Sequence, residues 1–63
     1  MYQVFIQSRS MENGVVFFES PSVEDSIQVA LNLHRASNVM HKISVFDVDS
    51  CQTRLNLFSK DYE

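Results

Sequence analysis

The sequence predicts an α+β fold: one helix packed on a four-stranded antiparallel sheet, in the chain order ββαββ. Three observations carry this. Four short runs are rich in β-branched and aromatic residues, and most of them alternate apolar with polar positions. One central run repeats its apolar residues at helical spacing behind a Ser-Pro-Ser stop. The chain has 63 residues, with one glycine (Gly14) and one proline (Pro21), so turns must be short and residues 1–63 form a single small domain.

The first strand is residues 2–8, YQVFIQS. Tyr2, Val4 and Ile6 share one face; Gln3, Phe5 and Gln7 share the other. Residues 9–14, RSMENG, read as a turn, because Asn13-Gly14 favours positive φ. Residues 15–19, VVFFE, form a second strand, apolar on both faces, in which the pattern leaves open whether Phe17 or Phe18 faces the helix. Ser20-Pro21-Ser22 ends that strand. Ser22 is a good N-cap with Asp25 three residues on, and Glu24 and Asp25 place negative charge where the helix dipole favours it.

The helix is expected over Val23–Ala36. Val23, Ile27, Ala30, Leu31 and His34 form its main stripe, widened by Val29, Leu33 and Ala36; Glu24, Gln28, Asn32 and Arg35 make a narrow polar strip. That apolar arc is wider than a surface helix needs. Either the sheet wraps the helix, or a second molecule covers the flank at Val29 and Leu33. Residues 42–48, KISVFDV, form the third strand, 49–52 a hairpin loop, and 53–58, TRLNLF, the fourth; SKDYE is expected to fray. Short, uncrossed connections give the strand order 2-1-3-4, with the helix over Tyr2, Val4, Ile6, Ile43, Val45, Leu55 and Leu57.

One helix leaves the other sheet face uncovered. By alternation that face carries Gln3, Phe5, Gln7, Phe46, Val48, Arg54, Asn56, Phe58 and one of Phe17 and Phe18. A solvated face would alternate to charge. This one mixes phenylalanine with amides and an arginine, the composition of interface cores. A chain this short also buries only roughly 60% of its unfolded surface, so self-association would relieve a thin stability margin.

Composition narrows the function classes. Five basic and eight acidic residues give a net charge of −3, and Arg9, Arg35, Lys42, Arg54 and Lys60 are scattered, which disfavours nucleic acid. Alternation begins immediately after Met1, and no apolar run approaches the length of a membrane span. A lone cysteine, Cys51, suits a reducing compartment, so the expected location is cytoplasmic.

No cofactor or metal motif stands out. Asp47-Val48-Asp49-Ser50-Cys51 superficially looks like a phosphohydrolase D-x-D, but that chemistry needs a large domain and further motifs; Asp and Ser favour loops by bonding nearby backbone. Cys51 lacks the electropositive surroundings that form a thiolate. His34 lies on the apolar side of the helix near its end, and His41 opens a strand, where exposure is expected. In its order of elements the chain resembles short phage and bacterial accessory proteins made of a hairpin, a helix and a second hairpin with an Asp-led turn. That resemblance implies the fold and no activity.

The expected function is therefore a non-enzymatic interaction module, self-associating as a homodimer or docking another protein through Phe5, Phe46 and Phe58, with Gln3, Gln7, Arg54 and Asn56 around them and Val29 and Leu33 as an alternative flank. Two other readings are an acidic inhibitor or regulator of a nucleic-acid-handling enzyme, and single-strand stacking on the phenylalanine face. An enzyme would need a cleft, for which a dimer groove near Asp47, Asp49 and His41 is the one candidate.

Overall fold

The computed structural model describes residues 1–8, 11–38 and 40–60, apart from the side chains of Met11 and Glu12. Its elements are β1 (Tyr2–Ser8), β2 (Met11–Ser20), α1 (Val23–Ala36), β3 (Lys42–Asp47) and β4 (Gln52–Phe58). All neighbouring strands are antiparallel, in the order β2-β1-β3-β4. The helix lies on one face and touches all four strands.

The helix starts where its capping chemistry places it. The Ser22 hydroxyl accepts from the Asp25 amide at 3.3 Å, and the Ser22 amide donates to the Ser20 hydroxyl at 3.1 Å. Ser26 is fully buried, and its hydroxyl donates to the Ser22 carbonyl, so a polar residue enters the interior with its hydrogen bond made. At the other end the Ser37 amide donates to the Leu33 carbonyl.

The core is small. Val4, Ala30, Ile43 and Val45 are 0% exposed, and Tyr2, Ile6, Phe18, Ile27, Val29, Leu33, Leu55 and Leu57 pack around them. The wide apolar arc of the helix is thus met by its own sheet: Val29 and Leu33 pack against the core and are half-buried.

Several expectations are corrected. The second strand begins at Met11, so Asn13-Gly14 lies inside a strand and does not form the turn. Between the pairs Ile6–Val15 and Ser8–Met11, β2 carries two more residues than β1, and Gly14 takes φ +79° within that irregularity. Positive φ is what Asn-Gly favours; here Gly14 takes it and Asn13 does not, and it absorbs extra residues in an edge strand. Residues 9 and 10 lie outside the described residues.

A second bulge separates the pairs Val4–Phe18 and Phe5–Val16, leaving Phe17 without a partner. It puts Phe18 on the helix side and leaves Phe17 57% exposed. A third, between Val45–Leu55 and Phe46–Thr53, takes Arg54 out of the alternation. Ser59 is not frayed: its amide donates to the His41 carbonyl at 2.9 Å and its hydroxyl accepts from the His41 amide at 3.0 Å. Residues 61–63 lie outside the described residues. The third strand ends at Asp47 and the turn covers 48–51, although the Val48 amide still donates to the Met1 carbonyl, one step on in the β1–β3 register.

Gly14 gives a direct check on the irregular part of β2. A Cβ there would sit 3.0 Å from Gln7 Cγ, a contact a flexible side chain can relieve, but the backbone strain remains. Gly14→Ala is expected to lower stability by about 1–2 kcal/mol in a denaturant melt. Unchanged stability would show that β2 does not need the left-handed residue.

Candidate interaction face

Register defines which side chains share the uncovered face. The pairs Gln3–Phe46, Phe5–Ser44 and Gln7–Lys42 link β1 to β3, and Lys42–Phe58, Ser44–Asn56 and Phe46–Thr53 link β3 to β4. Directly paired residues point the same way. Gln3, Phe5, Gln7, Phe46, Asn56 and Phe58 therefore sit together, as their alternation predicts. Lys42, Ser44 and Thr53 join them, and Val16 joins from β2 opposite Phe5.

Phe5 and Phe46 are diagonal neighbours on the two central strands. Their ring centroids are 6.4 Å apart at 76°, an edge-to-face arrangement that satisfies the ring quadrupoles. An open groove of about 260 Å³ runs beside them, lined by Phe5, Gln7, Asn13, Ser44, Phe46 and Thr53. Phe58 stands at the β4 edge, 53% exposed, with the Lys42 ammonium 5.6 Å from its ring centre.

The polar groups of this face bond to one another across strands. Gln3 Nε2 donates to Glu19 Oε2 at 3.3 Å, and Ser44 Oγ donates to Asn56 Oδ1 at 2.7 Å. These bonds fix the amides and hydroxyls beside the rings. They leave the Phe5–Phe46 pair as the apolar centre, and the register puts Glu19, opposite Gln3, and Lys42, opposite Gln7, towards opposite ends of the face.

The other residues singled out in the sequence fall elsewhere. Arg54 reaches Asp47 Oδ2 at 4.0 Å from its bulge and leaves the aromatic cluster. Val29 and Leu33 are engaged with the core. Val48 sits in the turn, outside the strands.

His41 is 1% exposed, contrary to the exposure expected of it. Its parity with Ile43 and Val45 is the signal that was available: one more inward step back along β3 lands on His41. His41, just before β3, and Asp47, at its end, lie about 20 Å apart at the rise of a strand, so within one chain His41 is remote from Asp47.

The β3–β4 turn is held by local bonds. Asp47 Oδ1 accepts from the Asp49 amide at 3.1 Å, and the Met1 amine pairs with Asp49 Oδ2 at 2.8 Å. Hydrogen bonding from Ser50 is the main cause holding the Asp47 carboxyl below its ordinary range. Cys51 is exposed at φ 55° in this turn, with its thiol on the Val48 carbonyl. Among the described residues no group of three or more His, Cys, Asp or Glu could hold a metal ion, and no helix is long and apolar enough to cross a membrane.

Comparison with known proteins found no matching family model, no matching curated protein and no matching solved structure.

The turn chemistry sets an acid response. Because the folded Asp47 carboxyl titrates below its unfolded counterpart, its stabilising contribution is present above the ordinary carboxylate range, about pH 4, and is lost as pH falls through and below it. Thermal melts between about pH 6 and pH 2 are expected to show a smaller acid-side drop in Asp47→Asn than in the parent chain. Identical drops would remove Asp47 from the acid response.

Proposed function

We propose that this protein is a non-enzymatic interaction module that pairs with a second copy of itself through the uncovered sheet face. The observation that carries the reading is the Phe5–Phe46 ring pair at the centre of that face, half-buried beside an open groove and covered by no helix or strand among the described residues. Contiguous apolar surface on a small protein marks a contact site.

Three features favour a copy of the same chain, face to face. The molecule measures 30 × 21 × 15 Å. Its broad face projects to about 600 Å², so two such faces together remove on the order of 1,200 Å² from water, the lower bound of stable interfaces. The face is also self-complementary in charge. Glu19 lies towards the Asp47 end of the sheet and Lys42 at the other, so a two-fold pairing with strand ends reversed brings each Lys42 end to the partner copy's Glu19 end. Finally, both outer strands carry bulges, and bulged edges resist strand addition, which leaves the face as the better docking surface.

In this arrangement Phe5 and Phe46 are the anchors, Phe58 and Val16 extend the apolar area, and Gln3, Gln7, Asn56 and Lys42 form the polar rim. Phe58 is more than half exposed, so replacing it removes little buried apolar area from the fold.

Light scattering coupled to size-exclusion chromatography tests this. The parent chain is expected to move towards twice its 7.3 kDa mass as concentration rises. Phe58→Ser and Phe46→Ser should each weaken the dimer by at least about tenfold while far-UV circular dichroism stays unchanged. A parent chain that remains monomeric up to high micromolar concentration would refute self-association and leave the face to a different protein.

A further inference from the structure

We infer that the two copies pair about a two-fold axis lying along the Val16–Phe5–Phe46 band of the sheet, with Glu19 of each copy set against Lys42 of the other. This rests on the self-association reading above and adds to it the register of the pairing and the residues that set it.

The apolar residues of the face form an oblique band. Val16 on β2 is directly opposite Phe5 on β1, and Phe46 on β3 is one outward step from Ser44, the residue opposite Phe5. Val16 is 40% exposed, and Phe5 and Phe46 are half-buried. Glu19 and Lys42 stand on either side of this band. Glu19 is opposite Gln3, whose amide holds its carboxylate at that end. Lys42 is opposite Gln7, with its ammonium near the Phe58 ring.

The positions of the two charges are related through Phe5. β1 lies between β2 and β3, and Phe5 is midway between Gln3 and Gln7. Phe5 is therefore the midpoint of the line from Glu19 to Lys42, and the band runs across that line. A two-fold axis in the plane of the contact, over Phe5 and along the band, lays the band on its own copy and exchanges the two charged positions. One rotation thus satisfies the apolar centre and both charges. A rotation that kept like ends together would bring the two Glu19 ends onto each other and the two Lys42 ends likewise, which opposes that register.

Glu19 and Lys42 do not meet within one chain. At the rise and spacing of strands they are about 13 Å apart along the sheet and about 10 Å across it. Attraction between them therefore acts between copies. Because the axis exchanges the two positions, the contact is isologous and closes at two copies.

Charge exchange tests this, read by light scattering coupled to size-exclusion chromatography at low ionic strength, where exposed charges are least screened. Glu19→Lys and Lys42→Glu should each weaken self-association at least about tenfold, because each turns two attractive contacts into two repulsive ones. Glu19→Lys also reduces the net charge from −3 by two units, so on net charge alone it would associate better than the parent; weakening reports the local contact. Mixed in equal amounts, the two variants should regain the mass of a dimer, since the mixed pair again sets opposite charges together. The double variant, with both charges exchanged, should self-associate as the parent chain does. Misfolding cannot produce recovery on mixing, so the mixture decides even where the double variant is unstable. A dimeric parent whose single variants pair as well as it does, or whose mixture fails to recover, overturns this register and leaves self-association standing. A parent chain that stays monomeric overturns both.

Discussion

One helix of fourteen residues covers one face of a four-stranded sheet, and most of what distinguishes this molecule follows from that imbalance. The helix has apolar residues around most of its circumference, and the sheet meets them from both sides with Tyr2, Phe18, Leu55 and Leu57. Among the described apolar residues, Val4, Ala30, Ile43 and Val45 alone end up completely enclosed. A core this small leaves a narrow stability margin, so the polar interior has to be fully bonded. Ser26 on Ser22, and His41 on His34 and Ser59, meet that requirement, and no buried side-chain polar atom among the described residues lacks a partner. The apolar residues that the helix cannot reach, Phe5, Phe46 and Phe58, gather on the opposite face.

The strand order and helix limits were legible because each rests on local chemistry that nothing overrides. Ser20-Pro21-Ser22 stops β2, Ser22 caps α1, and short connections leave few ways to arrange two hairpins around one helix. The hidden parts are the three irregularities of the sheet among the described residues. Alternation assumes two residues per repeat, and a bulge breaks that parity without a sequence mark of its own. Phe17 and Phe18 could therefore not be told apart, and Arg54 was assigned to a face it leaves for Asp47. Gly14 was visible, but Asn13-Gly14 reads equally as a turn or as a bulge, and the choice depends on where β2 begins. His41 was misjudged for the opposite reason. Its polarity outweighed a parity that Ile43 and Val45 had already set.

β3 emerges as the organising strand. Its inward residues are Ile43, Val45 and Asp47, and His41 just before it keeps the same parity, so the apolar middle has a buried polar residue on either side. Each polar end holds a different junction: His41 binds the helix terminus and Ser59, while Asp47 holds the β3–β4 turn. Its outward residues, Lys42, Ser44 and Phe46, carry the middle of the candidate face. One strand thus ties the core, both ends of the sheet and the candidate face together.

Isotope-filtered NMR on an equimolar mixture of ¹³C-labelled and unlabelled chains would test the self-association reading most directly, because it identifies the contacting face as well as the contact. Pairing through the sheet gives intermolecular cross-peaks between the rings of Phe5, Phe46 and Phe58 in one copy and the same face in the other. Cross-peaks confined to α1, or none at concentrations where the protein is otherwise well behaved, would contradict it.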